Sequence, residues 1–258
     1  MSATTGYFVA GSSWLHRRNP VTKLLLLGLV LVAAFLLPPT VLPVLIVATV
    51  VAGWSAGLLR PMVRAMRIPA ILLVSILVVN GLFFPGAKDP IVSLGPLTIS
   101  REGLTFGIIS AGRVLVAFLA SVAFLFTTLA DDLLEALIAR GASHRIAFVV
   151  LSAVQTVPRM QARAGAILEA QQARGLSLEG SYIRRFRKLV PLVTPVLLGS
   201  LIDVRERTFA LEARGFGARA DRTAYRAVAD PPSDRWLRLL ILAGYVVVVL
   251  LAVTGVIR

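Results

Sequence analysis

Arginine followed by glycine occurs twice in the same setting: Ala173-Arg174-Gly175 and Ala213-Arg214-Gly215 each close a helix-like stretch inside a basic segment. An arginine in the last turn of a helix complements the negative end of the macrodipole, and the next glycine supplies the left-handed residue that ends it. The chemistry on offer is anion recognition. A guanidinium on a helix tip can enter a carboxylate-lined groove of another protein and bind through two parallel hydrogen bonds, which an ammonium does less well. The plainer reading is that both are ordinary helix ends, because any helix can stop at Arg-Gly. A third copy, Ala139-Arg140-Gly141, shows how readily the tripeptide arises here.

Other chemistry has little support. The chain contains no cysteine, which excludes disulfides, thiolate metal sites and cysteine nucleophiles. No glycine-rich loop ends in Gly-Lys-Ser/Thr, so any ATP has to be hydrolysed by a partner. His16 and His144 lie far apart and make no paired-histidine helix. The most enzyme-like string is Asp131-Asp132-Leu133-Leu134-Glu135, which resembles the aspartate-rich magnesium sites of membrane prenyltransferases. A membrane-embedded, magnesium-dependent prenyltransferase-like enzyme is therefore the alternative function. Against it, a second acidic cluster is missing, and acids directly after an apolar block suit the first turn of a new helix.

The elements that position these residues lie in a bilayer. Hydrophobic residues make up 57% of the 258-residue chain and charged residues 16%, with a mean hydropathy of +0.83, far more apolar than a soluble domain. The net charge of +14 is concentrated in particular loops and lacks the interleaved aromatics of a base-stacking surface, so no nucleic-acid partner is expected. Positive-inside topology explains it more simply.

Against the ~20 residues needed to cross a ~30 Å hydrocarbon core, five apolar blocks read as spans. They are Val21 to Leu37, Val41 to Leu59, Ile68 to Phe84, Gly103 to Leu129 and Trp236 to Ile257, the first two joined by a tight turn at Pro38-Pro39. The runs Ile146 to Val157 and Leu189 to Ile202 are short for crossings and read as buried or interfacial segments. The first block is too long for a signal-peptide core. The expected architecture is an all-α integral membrane protein with about five transmembrane helices and a cytoplasmic domain of long amphipathic helices. Its parts are a four-helix membrane domain over 1–129, the cytoplasmic helices over 130–235, and a last transmembrane helix over 236–258.

Basic residues set the orientation. Arg17 and Arg18 precede the first block and Lys23 lies at its start, Arg60, Arg64 and Arg67 separate the second from the third, and arginines crowd Arg140 to Arg226. All three regions are cytoplasmic if the uncharged Pro38-Pro39 turn and the charge-balanced loop holding Lys88, Asp89, Arg101 and Glu102 face outward. The protein is thus expected to be multi-pass in the cell membrane, with its N-terminus and residues 130–235 in the cytoplasm and the lipid bilayer as its surroundings.

Within 130–235, Pro158 is expected to open a helix in which Met160, Ala164, Ile167, Leu168 and Gln171 share one face and which ends at Arg174-Gly175. A second helix is expected to start near Pro191 or Pro195, turn polar through Asp203, Arg205, Glu206 and Arg207, and end at Arg214-Gly215. Asp203 and Arg207 are four apart, a spacing that supports a solvated helix face. Both helices could also lie on the membrane interface, with arginines meeting lipid headgroups.

The string Leu15-His16-Arg17-Arg18-Asn19-Pro20-Val21-Thr22-Lys23-Leu24, the Arg101-Glu102-Gly103-Leu104 start of the fourth block and the two Ala-Arg-Gly tips resemble the transmembrane T component of energy-coupling factor transporters. The most specific piece is Glu212-Ala213-Arg214-Gly215-Phe216-Gly217. Asn19 stands where that family usually has Asp, while Pro20 and Lys23 are kept. Ala139-Arg140-Gly141 lies outside the positions of the family's docking motifs. The resemblance implies a non-catalytic subunit that couples ATP hydrolysis by two cytosolic ABC-type ATPases to uptake of a vitamin or transition-metal ion bound by a separate membrane subunit. It implies that Ala173-Arg174-Gly175 and Ala213-Arg214-Gly215 each engage one ATPase, and that ATP and magnesium are held by those partners, with no cofactor in this chain.

Arg113 and Asn80 stand out among the polar residues inside the apolar blocks. Arg113 sits inside the fourth, where a central charge costs ~2.5 to 3.5 kcal/mol on the insertion scale. It is a candidate for contact with a partner subunit or with Glu102 three turns earlier, or else it snorkels to an interface. Asn80, in the third block, reads as a helix-packing hydrogen bond or part of a subunit interface.

Overall fold

The computed structural model describes residues 8–9, 11, 13–85, 90–94, 97–177, 181–216 and 228–254. Lys88, Asp89, Gly217, Arg226 and Ile257, used above, lie outside them. The chain divides into two compact units, one made of residues 1–140 and 228–258 and the other of 141–227.

The first unit opens with α1 (Pro20–Leu36), whose N-terminus is capped by the Asn19 side chain accepting from the Val21 N–H at 3.0 Å, with Pro20 in the first turn. Pro38 and Pro39 stop it. A 3₁₀ turn (Pro39–Val41) leads into α2 (Leu42–Ser55), which ends at Gly57, in the left-handed region at φ +73°. Helices α3 (Leu59–Ala65) and α4 (Arg67–Phe83) meet at a 54° bend. Pro69 has no N–H to offer the Ala65 carbonyl, so the ladder breaks there.

Pro90–Leu94 (β1) and Leu97–Ser100 (β2) form an antiparallel hairpin where a polar loop was expected. Ile91, Val92, Thr98 and Ile99 are β-branched residues that favour pleated backbone. Next comes α5 (Arg101–Thr127), capped by Ser100 Oγ accepting from the Gly103 N–H at 3.0 Å. A short α6 (Ala130–Ile138) carries Asp131 and Asp132 in its first turn, where the macrodipole favours acids. Then α7 (His144–Ala173) and α8 (Tyr182–Ala213) make the second unit, and α9 (Pro232–Thr254) returns to the first.

The architecture is helical and apolar, as a membrane protein requires, but the expected five crossings are not all of spanning length. Helices α5 and α9 are long and apolar enough to cross a bilayer, α3 with α4 forms a bent candidate, and α1 and α2 are shorter apolar helices. The prolines at 38 and 39 and the Gly57 turn cut the first two blocks short of the ~20-residue requirement.

Helix α5 is the axis of this unit. Near its middle Val116 packs with Ala34 of α1 and Leu42 of α2, and near its end Leu119, Val122 and Phe126 pack with Leu15, Leu58 and Met62. At its start it runs close to α4: a methyl group on Gly103 would collide with the Asn80 main-chain carbonyl and the Phe84 side chain. Overpacking such a contact costs about 1–3 kcal/mol. Gly103→Val is therefore expected to lower the thermal unfolding midpoint of the detergent-solubilised protein by several degrees, and Gly103→Ala by less. Asn80 itself donates to the Ile76 carbonyl at 2.8 Å, a bond within α4.

A polar clasp gathers several chain ends. Arg18 Nη1 donates to Asp234 Oδ1 at 2.6 Å, and the Asn19 main-chain N–H donates to Asp234 Oδ2 at 2.6 Å. The Asn19 amide donates to the Ala229 carbonyl at 3.2 Å, and Arg140 Nη2 donates to Asn19 Oδ1 at 3.3 Å. Asp230 bridges Arg140 and Arg238 at 3.5 and 2.9 Å, and the hydrogen bond from Arg238 holds its carboxyl below the usual carboxylate range. Lys23 Nζ donates to the Thr127 carbonyl at the end of α5 at 2.7 Å. The starts of α1 and α9 and the ends of α5 and α6 thus meet at one end of the unit.

Candidate functional site

Both Arg-Gly tips are built alike. Ala173 is the last residue of α7 and Arg174 its cap, followed by Gly175 at φ +93°. The Leu176 N–H returns to the Gln171 carbonyl at 3.0 Å and the Gly175 N–H to Gln172 at 2.9 Å, the two bonds of a Schellman motif. Ala213, Arg214 and Gly215 repeat this on α8: Gly215 has φ +72°, the Phe216 N–H bonds Leu211 at 2.9 Å, and the Gly215 N–H bonds Glu212 at 2.9 Å. Only glycine enters that left-handed region freely, and each arginine is placed on its helix tip by the turn. Ala173, Arg174, Gly175, Ala213, Arg214 and Gly215 are all exposed, and no described residue pairs with either guanidinium.

The third tripeptide differs in geometry and in occupation. Helix α6 is capped one residue earlier, at Ala139. The Arg140 guanidinium turns inward to the Ala136 carbonyl at 2.7 Å, to Asn19 and to Asp230. It is a strut of the first unit, with no free head to offer.

Two sequence expectations about α7 and α8, the two arms of the second unit, need correcting. Pro158 does not open a helix: α7 runs unbroken from His144 to Ala173 through it. Proline removes one hydrogen bond from the ladder, and around it Thr156 Oγ1 bonds the Ser152 carbonyl at 2.6 Å and Arg159 Nε the Gln155 carbonyl at 3.2 Å, so side chains supplement the backbone there. Likewise α8 begins at Tyr182, well before Pro191 and Pro195. Helical length on both sides outweighs the single breaks.

The arms cross at a forked ion pair. Arg163 of α7 donates through Nη2 to Asp203 Oδ1 at 3.0 Å and lies 2.8 Å through Nη1 from Oδ2. That hydrogen bond holds the Asp203 carboxyl below its ordinary range and raises the guanidinium. Asp203 therefore faces across to α7 instead of along its own helix to Arg207. The pair is solvent-exposed, so its value lies in fixing where the arms touch more than in stability. Arg163 and Asp203 each precede their tip arginine by eleven residues, so each tip reaches roughly 16 Å beyond the crossing. Phe216, just past the second tip, packs against Phe148 at 4.7 Å between ring centroids, the rings tilted by 48°. Phe148 precedes Arg174 by 26 residues on α7, which separates the two tips by roughly 35–40 Å. Beside the crossing lies an open groove of about 590 Å³ lined by Arg159, Met160, Arg163, Asp203, Glu206 and Arg207.

A second surface accompanies the tips. Phe186, Val190, Val193, Leu197, Leu201 and Val204 follow helical spacing along α8, and each is at least half exposed. An exposed apolar stripe of this length marks a surface that another protein or the bilayer covers. Among the described residues no group of three or more His, Asp or Glu side chains converges as a metal site, and Asp131 and Asp132 sit in the α6 first turn.

The family model CbiQ, described as cobalt transport protein, matches residues 11–225, a stretch that includes both tips. An energy-coupling factor transporter transmembrane protein, EcfT, of Bacillus selenitireducens is 31% identical over 240 residues, covering 87% of this chain and 88% of its own. The protein of the same name from Thermosediminibacter oceani is 26% identical over 269 residues, 98% of this chain and 96% of its own. A putative ABC transporter ATP-binding protein of Bifidobacterium longum is 28% identical over 251 residues, which are 93% of this chain but 32% of that protein.

Proposed function

Because this chain belongs to the CbiQ family and is a transmembrane T component of an energy-coupling factor transporter, we propose that it joins two cytosolic ABC-type ATPases to a separate membrane subunit that binds a vitamin or transition-metal ion, and transmits the work of ATP hydrolysis to uptake. The observation that carries this reading is the pair of matched tips: two arginines on identically capped helix ends, exposed and unpaired among the described residues, while the third is tied inward. The Bifidobacterium longum relative adds support, since a segment like nearly this whole chain makes up a third of a protein named for ATP binding.

Each tip enters a carboxylate-lined groove on one ATPase. Closure of the ATPases on ATP changes the separation of the tips, the Arg163–Asp203 crossing acts as the point about which the arms turn, and the apolar stripe of α8 passes the motion to the substrate-binding subunit. The clasped end of the membrane unit and the segment 130–235 face the cytoplasm, an orientation that their excess of arginines supports. ATP and magnesium stay with the partner subunits.

The test is purification of the tagged chain from its own membranes, followed by assays of ATP hydrolysis and of magnesium-dependent prenyl transfer. Copurifying ATPase subunits, with no turnover by the chain alone, are expected; turnover by the isolated chain lost on Asp131→Ala sinks the proposal. A finer probe separates tip geometry from tip charge. Gly175→Val and Gly215→Val keep both arginines but force a β-branched residue into the left-handed region, at about 1–2 kcal/mol. Each is expected to weaken ATPase association roughly tenfold in a titrated pull-down.

A further inference from the structure

Arg113 has a charge that no described residue answers. It stands in the interior of α5, twelve residues after Arg101 and fourteen before Thr127. With the clasped end of α5 at the cytoplasmic boundary, the fourteen residues from Thr127 put Arg113 about 21 Å into a hydrocarbon core of ~30 Å, roughly 9 Å below its outer boundary. That is beyond the reach of an extended arginine side chain, and snorkelling to headgroup phosphates does not serve it.

Its local geometry shows where the charge points. Nε is fully buried and has no acceptor, whereas the residue as a whole is half-buried and the terminal nitrogens are not enclosed. No hydrogen bond or ion pair joins it to any described residue. Ile109 and Val116, one turn to either side, pack where Ala34 ends α1 and Leu42 begins α2, so Arg113 emerges beside the turn of that short hairpin. From there outward one face of α5 packs on α4 through Gly103 and Gly107, while the face that carries Arg113 is uncovered: Phe106 is half exposed, and an open pocket of about 530 Å³ is lined by Phe84, Glu102, Thr105, Phe106 and Ile109 among others.

We propose that Arg113 docks a transmembrane helix of another subunit, one that carries an Asp or Glu at the depth of Arg113 and lies along the uncovered face of the outer half of α5. A cation buried at this depth is retained where a partner neutralises it, and a carboxylate accepts both free guanidinium nitrogens at once. The inference rests on the proposed function only in requiring a membrane partner. Because Arg113 has no bond within the described chain, Arg113→Leu leaves the fold intact.

The experiment uses the assembled complex from native membranes, with a photo-crosslinking amino acid at Phe106 and, separately, the variants Arg113→Leu and Arg113→Glu. Crosslinks are expected on one membrane segment with an Asp or Glu at the depth of Arg113. Arg113→Leu is expected to cut the amount of that subunit retained per chain at least tenfold while ATPase subunits copurify as before. Pairing Arg113→Glu with a carboxylate-to-lysine change in the partner is expected to restore it. Full retention by Arg113→Leu, crosslinks to lipid alone, or a crosslinked segment without an acid overturns the inference. Loss of the ATPases from the unmodified chain would instead refute the coupling function and leave the membrane contact to be judged by its own crosslinks.

Discussion

Replacing both tip arginines, Arg174→Ala with Arg214→Ala, is expected to reduce ATP-driven uptake to background while the protein still accumulates in the membrane at its normal level. Both guanidiniums are exposed and bond no described residue, so their removal takes nothing from the fold. What the proposed docking loses is a charged hydrogen-bonded contact with the partner, and truncating one side of such a pair costs ~2 to 5 kcal/mol. At the lower figure, one substitution weakens docking roughly 30-fold. Two tips acting together fail more steeply, because two-site binding owes much of its strength to simultaneous engagement. Arg174→Lys and Arg214→Lys should fall between, retaining charge but not the planar fork. Arg140→Ala gives the contrasting result: it removes bonds to Ala136, Asn19 and Asp230, so the protein loses stability before it loses partners. Uptake, membrane abundance and titrated pull-down on the same four variants distinguish these outcomes.

The second large effect is structural. Asp234 is fully buried and accepts both the Arg18 guanidinium and the Asn19 main-chain N–H. Asp234→Ala strands that N–H on a residue that is itself buried, and releases the start of α9 from the start of α1. Breaking a buried pair costs ~3 to 5 kcal/mol, and Arg18 is about a third exposed, so about 2 to 3 kcal/mol is the expected loss here. That is a large part of a typical domain's stability. The variant should show a lowered unfolding midpoint and a poor yield of monodisperse protein in detergent. Asp234→Asn keeps one acceptor and should lose less.

The tips were legible in the sequence because helix capping is a local affair: residues 171–176 contain nearly everything their turn needs, and residues 211–216 repeat it. The crossing was not, since Arg163 and Asp203 are forty residues apart and Asp203 has a nearer arginine at the favoured spacing along its own helix. The clasp is more remote still, joining Asn19 to Asp234 across 215 residues. Its visible trace was Asn19 before Pro20, a helix N-cap whose second role, bonding the chain near α9, had no local signal. Pro158 misled for the converse reason, since a residue that weakens one turn says little when long helix on both sides outweighs it. Apolar blocks located α1, α2, α4, α5 and α9, but hydrophobicity does not report where a helix stops, and prolines and a left-handed glycine shortened the first two.

The measurement that tests tip docking most directly uses the absence of native cysteines. Single cysteines replace Ala173 or Ala213, beside the arginines they would report on, and the membranes are treated with a short thiol-to-amine crosslinker with and without ATP. Docking predicts that each position crosslinks an ABC-type ATPase subunit in high yield, that Arg174→Ala or Arg214→Ala abolishes the crosslink at its own tip, and that ATP changes the separation of the tips when both are spin-labelled. Tips that crosslink no ATPase, or that do so equally well without their arginines, contradict it.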